Sequence, residues 1–140
     1  MRAWLGAACA LALACGAGTE DGPVVLAEEA RYRVTAESGS ANELRVEVRT
    51  TGGWKIAPEA PARLDLAEGD VTFAEPALRE EHQQARTETG FAFATAVSAD
   101  TPGRHTATGQ LKFGICEGPK AKCFIIREAL EIPVEVARAD

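Results

Sequence analysis

The sequence predicts an all-β protein, an antiparallel β-sandwich of about seven to nine strands. Three observations predict it. Apolar and polar residues alternate over several short stretches, as half-buried strands require. Gly, Pro and Ser–Gly–Ser clusters punctuate those stretches at short intervals. Beyond the N-terminus no segment keeps a helical period over a window of about eleven residues, and no internal repeat is visible. A chain of 140 residues suits one domain, and 46% hydrophobic with 26% charged residues is an ordinary globular composition.

The N-terminus stands apart. Residues 1–14, MRAWLGAACALALA, carry one arginine and then an uncharged Ala- and Leu-rich run too short to span a bilayer. This is the pattern of a secretory signal peptide. Its end, Leu11-Ala12-Leu13-Ala14-Cys15, resembles a bacterial lipoprotein signal, which implies a lipidated Cys15 as the mature N-terminus. Ala12-Leu13-Ala14 also satisfies ordinary small-x-small cleavage, so plain secretion is the alternative. Residues 15–22 read as a Gly-rich flexible tether and 23–140 as the folded domain. The expected location is the periplasmic face of a bacterial membrane, held by the lipid anchor alone. Gly16 is not a retention signal of the Asp type, so the outer membrane is favoured over the inner.

Each strand follows from its own period. After the short apolar run Pro23–Leu26, Arg31–Ala36 sets Tyr32, Val34 and Ala36 on one side. Leu44–Thr50 does the same with Leu44, Val46 and Val48, and Ser38-Gly39-Ser40 between them predicts an antiparallel hairpin. Thr51–Pro61 reads as a loop anchored by Trp54 and Ile56. Arg63–Leu66 and Val71–Phe73 are short strands about a Glu68-Gly69-Asp70 turn. Glu75–Arg86 is polar and reads as a long connection or an irregular edge. Phe91–Val97 puts Phe91, Phe93, Thr95 and Val97 on one face. His105–Cys116 is the longest expected strand, with Leu111, Phe113 and Ile115 opposite Gln110, Lys112 and Cys116. Leu130–Val136 closes the chain. The widely spaced cysteines around a tryptophan that mark antibody domains are absent, so the expected fold is immunoglobulin-like without that disulfide.

Cysteine usage supports export. Of four cysteines, Cys9 leaves with the signal and Cys15 takes the lipid, so an even pair remains, Cys116 and Cys123. They flank Glu-Gly-Pro-Lys-Ala-Lys in what reads as a hairpin, which lets them face each other. Two readings stay open on chemistry alone. One is a local staple, removing about 2.5 kcal/mol of unfolded-chain freedom. The other is a thiol–disulfide exchange pair, with Lys112, Lys120, Lys122 and Arg127 favouring a thiolate, Glu117 opposing it, and Phe113, Ile115 and Phe124 shielding the sulfurs.

Other chemistry is weakly signalled. His82 and His105 lack metal-ligand spacing, and Glu80-Glu81-His82 reads as a solvated turn. Asp65 and Asp70 read as surface acids, and Trp54, Phe91, Phe93 and Phe113 as core. No nucleophile–base pair or phosphate-binding Gly loop is present, and no metal or cofactor is expected. The net charge is −6, more negative by one once Arg2 leaves with the signal. Such an acidic domain is a poor partner for nucleic acid or an anionic membrane surface.

A family resemblance bears on the cysteines. GWKIAPEAPARLDL, then FAFATAV, then GQLKFGIC and CFIIREALEIPVEV resemble the N-terminal periplasmic domain of the thiol:disulfide interchange protein DsbD, over about Thr51–Val136. The resemblance implies an immunoglobulin-like sandwich whose late hairpin carries a redox pair, here Cys116 and Cys123. It also implies a separate membrane electron donor and a periplasmic thioredoxin-like or other thiol protein as partners. The pair lies one residue further apart here than in that family, and no aromatic cap loop over it is evident in the sequence.

Overall fold

A computed structural model describes residues 22–39, 42–118 and 122–137. The expected leader 1–14, Cys15 and nearly all of the tether lie outside them. The described residues form eleven strands: β1 (Val24–Glu28), β2 (Tyr32–Gly39), β3 (Glu43–Thr50), β4 (Trp54–Ile56), β5 (Arg63–Ala67), β6 (Val71–Phe73), β7 (Ala77–Leu78), β8 (Gln83–Thr87), β9 (Gly90–Ala99), β10 (Gly103–Glu117) and β11 (Cys123–Val136). A single 3-10 turn, Glu80–His82, interrupts them, and no α-helix occurs among the described residues. The all-β expectation holds.

The strands build two antiparallel sheets. One has six strands in the order β1-β2-β3-β9-β6, with β8 also on β9. The other has five in the order β11-β10-β5-β7, with β4 also on β10. β2 and β3 form the expected hairpin, in register from Tyr32–Thr50 to Gly39–Glu43. β10 and β11 form the longest ladder, unbroken from Gly103–Val136 to Cys116–Cys123.

Alternation decides which side chains the sheets enclose. Val34, Leu44, Val46, Val48, Phe91 and Phe93 of the first sheet meet Leu64, Leu111, Phe113, Ile115, Leu130 and Ile132 of the second, all buried. Phe113 lies edge-on to Tyr32 and to Phe91, at centroid distances of 5.2 and 6.1 Å. Such aromatic pairs add about 0.5–1.5 kcal/mol each beyond their area. Tyr32 is buried at this edge of the sandwich. Its OH donates to a Glu128 carboxylate oxygen on β11, tying the two sheets together. Thr95 is also buried, and its Oγ1 accepts the Glu75 N–H at 2.9 Å.

Two expectations are refined. Of the two readings of Glu75–Arg86, the irregular edge is the one seen, since the stretch contains β7 and most of β8, both short and at sheet edges. Trp54 is only half-buried, because β4 sits at the open end of the sandwich. Its ring packs against exposed Phe124 at 5.9 Å, and the Arg31 guanidinium lies 5.4 and 5.7 Å from the two ring centroids.

Candidate functional site

The candidate site grows out of one end of β10. Gly52 and Gly53, with φ of 63° and 84°, turn the chain between β3 and β4 in a conformation other residues rarely adopt. Thr51 holds the turn, donating its Oγ1 hydrogen to Ala30 O at 2.7 Å. The chain then enters the second sheet as β4, beside the last residues of β10. Lys55 falls opposite Cys116, and Trp54 opposite Glu117. Beyond β4, the Ala57 N–H donates to Gly114 O at 2.8 Å, drawing the Ala57–Ala62 loop over the outer face of the sheet.

Gly114 is required for that crossing. A Cβ built on it would lie 2.6 Å from the Ala60 Cβ and 3.1 Å from the Ala57 Cβ, so only a glycine lets the loop settle here. On its other side β4 meets the β8–β9 turn, where the Ile56 N–H donates to Glu88 O at 2.8 Å. Loop, turn and hairpin together enclose a pocket of about 510 Å³. Lys55, Pro58, Glu59, Arg86 and Glu88 line it, along with Cys116 and Cys123. A second pocket, about 610 Å³, opens on the far side of the loop toward Arg79, Lys112 and Ile125.

Cys116 and Cys123 are bonded to each other, with Cα atoms 4.0 Å apart. They are direct cross-strand partners, as the hairpin reading requires. The rung beyond them carries a backbone bond from Glu117 N–H to Lys122 O at 3.1 Å. Alternation therefore makes Cys116–Cys123 a non-hydrogen-bonded rung, in which side chains approach most closely. Cys123 is exposed and Cys116 half-buried. Both point to the outer face, away from the core residues Phe113 and Ile115.

That orientation corrects the shielding expectation. Phe113 and Ile115 are fully buried between the sheets, and Phe124 follows the same inward phase to meet Trp54. None of the three covers the sulfurs, because residues one position from a cysteine on a strand face the opposite side. Lys112 and Arg127 do share the sulfur face, but four rungs away and opposite each other. Lys122 and Glu117 occupy the rung past the disulfide and alternate to the other face. Lys120 lies outside the described residues.

The cation nearest by register is Lys55, which no local pattern around the cysteines reveals. Its Nζ pairs with Glu88 Oε1 at 2.9 Å, and the ammonium holds the Glu88 carboxyl below its ordinary range. The remaining candidates serve the fold. His82 Nδ1 accepts the Arg79 N–H at 2.9 Å, His105 Nε2 lies 2.8 Å from Thr101 O, and Asp65 pairs with Arg79 at 2.8 Å. Comparison with family models, curated proteins and solved structures returns no match. The chemistry of the cleft is what speaks for function.

Proposed function

We propose that this chain is an exported, lipid-anchored domain of the DsbD N-terminal, immunoglobulin-like type that takes part in thiol–disulfide exchange through Cys116 and Cys123. One observation carries the reading. The disulfide lies on the solvent side of its sheet, lining a pocket of about 510 Å³, with Cys123 exposed. A sulfur attacked in line by a thiolate needs such access, and a staple does not.

The greater exposure of Cys123 supports one order of attack. An incoming partner thiolate attacks the Cys123 sulfur, the Cys116–Cys123 bond breaks, and Cys116 leaves as a thiolate. The partner's second thiolate then attacks the partner sulfur of the mixed disulfide, and Cys123 leaves in turn. Two electrons and two protons have passed to this chain, and the partner is oxidised to a disulfide. Run backward, Cys123 attacks a substrate disulfide and Cys116 resolves the mixed species. The partners are a separate membrane electron donor on one side and a periplasmic thioredoxin-like or other thiol protein on the other.

The rival reading is a fixed staple in a non-catalytic binding or structural module. Its support is the long β10–β11 ladder, which fixes the register with the disulfide near its end. Replacing both cysteines by Ala then costs about 2–3 kcal/mol in urea unfolding and nothing else. Equilibration against glutathione and dithiothreitol buffers separates the two. Exchange requires a potential well above about −300 mV, below which structural disulfides of secreted proteins fall. It also requires that Cys116→Ser, which leaves the exposed Cys123, trap a mixed disulfide more readily than Cys123→Ser. A bond that stays oxidised far below that potential leaves the staple. Intact mass of the membrane fraction reads the anchor, since a mature form without acyl mass on Cys15 removes it.

A further inference from the structure

The pocket holds charged groups that thiol–disulfide exchange alone does not account for. Lys55 and Cys116 are paired across β4 and β10, and both alternate to the outer face. The Ala57 N–H bond to Gly114 O shows that even-numbered residues of β10 aim their backbone groups at β4. Cys116 and Lys55 are therefore a hydrogen-bonded rung, with Cα atoms about 5.5 Å apart. Lys55, Cys116 and Cys123 thus form one row across three strands.

Apart from Glu59, the other charges of the cleft are engaged or turned away. Arg86 Nη1 donates to Gln83 Oε1 of its own strand at 2.8 Å. Glu59 lies on the pocket lining. Lys112 and Arg127 are four rungs off, and Glu117 and Lys122 alternate to the opposite face. Lys55 alone has a defined ionic partner here, Glu88, which the Ile56 N–H to Glu88 O bond holds beside β4.

We infer that Lys55 is the counter-ion of the reduced site, resting on Glu88 while the sulfurs are bonded and moving to the Cys116 thiolate when the bond opens. This rests on the exchange reading and assigns a charge relay to it. In the oxidised state Cys116 carries no charge, and the ammonium is best placed on the carboxylate. Opening the disulfide through attack at Cys123 puts a full negative charge on Cys116, one strand away from Lys55. A cation there stabilises the leaving thiolate and so favours the reduced form. Glu88 competes for the same ammonium, so its carboxylate tempers the effect. The lysine is shared between two anions, only one of which exists in each redox state.

The test uses the full chain and two independent readouts. The first is the pH profile of Cys116 alkylation by iodoacetamide in a Cys123→Ser background. Lys55→Gln lowers the thiolate fraction at neutral pH by about tenfold, the small end of the effect of a neighbouring charge at an exposed site. Lys55→Arg restores it, and Glu88→Gln raises it only while Lys55 is present. The second readout keeps both cysteines and needs no unpaired thiol to fold. Here Lys55→Gln shifts the glutathione equilibrium about tenfold toward the disulfide, about 30 mV more negative for this two-electron couple.

A profile and an equilibrium both unmoved by Lys55→Gln overturn the assignment. So does a Glu88→Gln effect that persists without Lys55. The two failures are distinguishable. Captured mixed disulfides with an unmoved profile remove the role of Lys55 alone. A shifted profile with no mixed disulfide to any thiol protein removes the exchange reading and leaves the pairing of Lys55 with Cys116.

Discussion

On β10, Leu111, Phe113 and Ile115 point inward and are exposed by 1% or less, while Lys112, Gly114 and Cys116 alternate with them on the outer face. The two faces of this one strand obey different rules. The inner face is filled to capacity by aromatic and branched side chains from both sheets, so it answers to volume. The outer face is uneven. One position is reduced to a hydrogen atom so that a loop can cross, and the next cysteine is left at the rim of the pocket the loop creates. The packed core lies on one side of the strand and the proposed site on the other.

Substitutions that respect or violate that division sharpen it. Phe113→Ala has the largest expected effect. It removes a fully buried ring that meets Tyr32 and Phe91, and a loss of about 3–5 kcal/mol is expected in urea unfolding. While the protein stays folded, the rate at which glutathione reduces the disulfide stays near that of the parent. A large change in that rate would mean that the two faces are coupled.

Gly114→Ala reverses the pattern. The added methyl group meets Ala60 and Ala57, so the loop must lift, at about 1–3 kcal/mol by the usual cost of overpacking. Lifting the loop also moves Pro58 and Glu59 from the pocket, and faster reduction of Cys116–Cys123 is expected. Slower or unchanged reduction would show that the loop does not govern access.

The smallest effect tests a side-chain bridge between the sheets, from Tyr32 to Glu128. Burial first, then the Glu128 carboxylate, pushes the Tyr32 hydroxyl well above the ordinary tyrosine range. The folded state therefore keeps this proton at a pH where the unfolded chain has released it. Stability from the bridge is fully present below about pH 10 and declines as pH rises beyond it. Tyr32→Phe should lower stability at neutral pH by about 1–2 kcal/mol and abolish that part of the alkaline decline. Unfolding curves at pH 7 and pH 10.5 measure both, and an equally steep decline in the variant would assign it elsewhere.

The inner face was legible in the sequence because alternation is a local signal. Leu44, Val46 and Val48, or Leu111, Phe113 and Ile115, announce their phase within a few residues, and the structure buries all six. The pairing of Cys116 with Cys123 was legible for the same reason, since a hairpin brings sequence neighbours together. β8 was not, because Gln83–Thr87 is an exposed edge strand with no apolar face to set a period. The outer-face site was the least legible part. Lys55 and Glu88 reach the disulfide only through sheet pairing and a turn far away in the chain. Counting residues around the cysteines also turned Phe124 toward the sulfurs, where the pleat turns it away.

The disulfide sits almost at the end of its ladder. Every rung from Gly103–Val136 to Ile115–Phe124 is in place on one side of it, and the Glu117–Lys122 pair lies on the other. Making or breaking the bond leaves nothing in the ladder to be re-registered. On the exchange reading, two electrons are stored or released without a mechanical signal running through the domain. On that reading a partner meets the redox state only at the rim of the pocket.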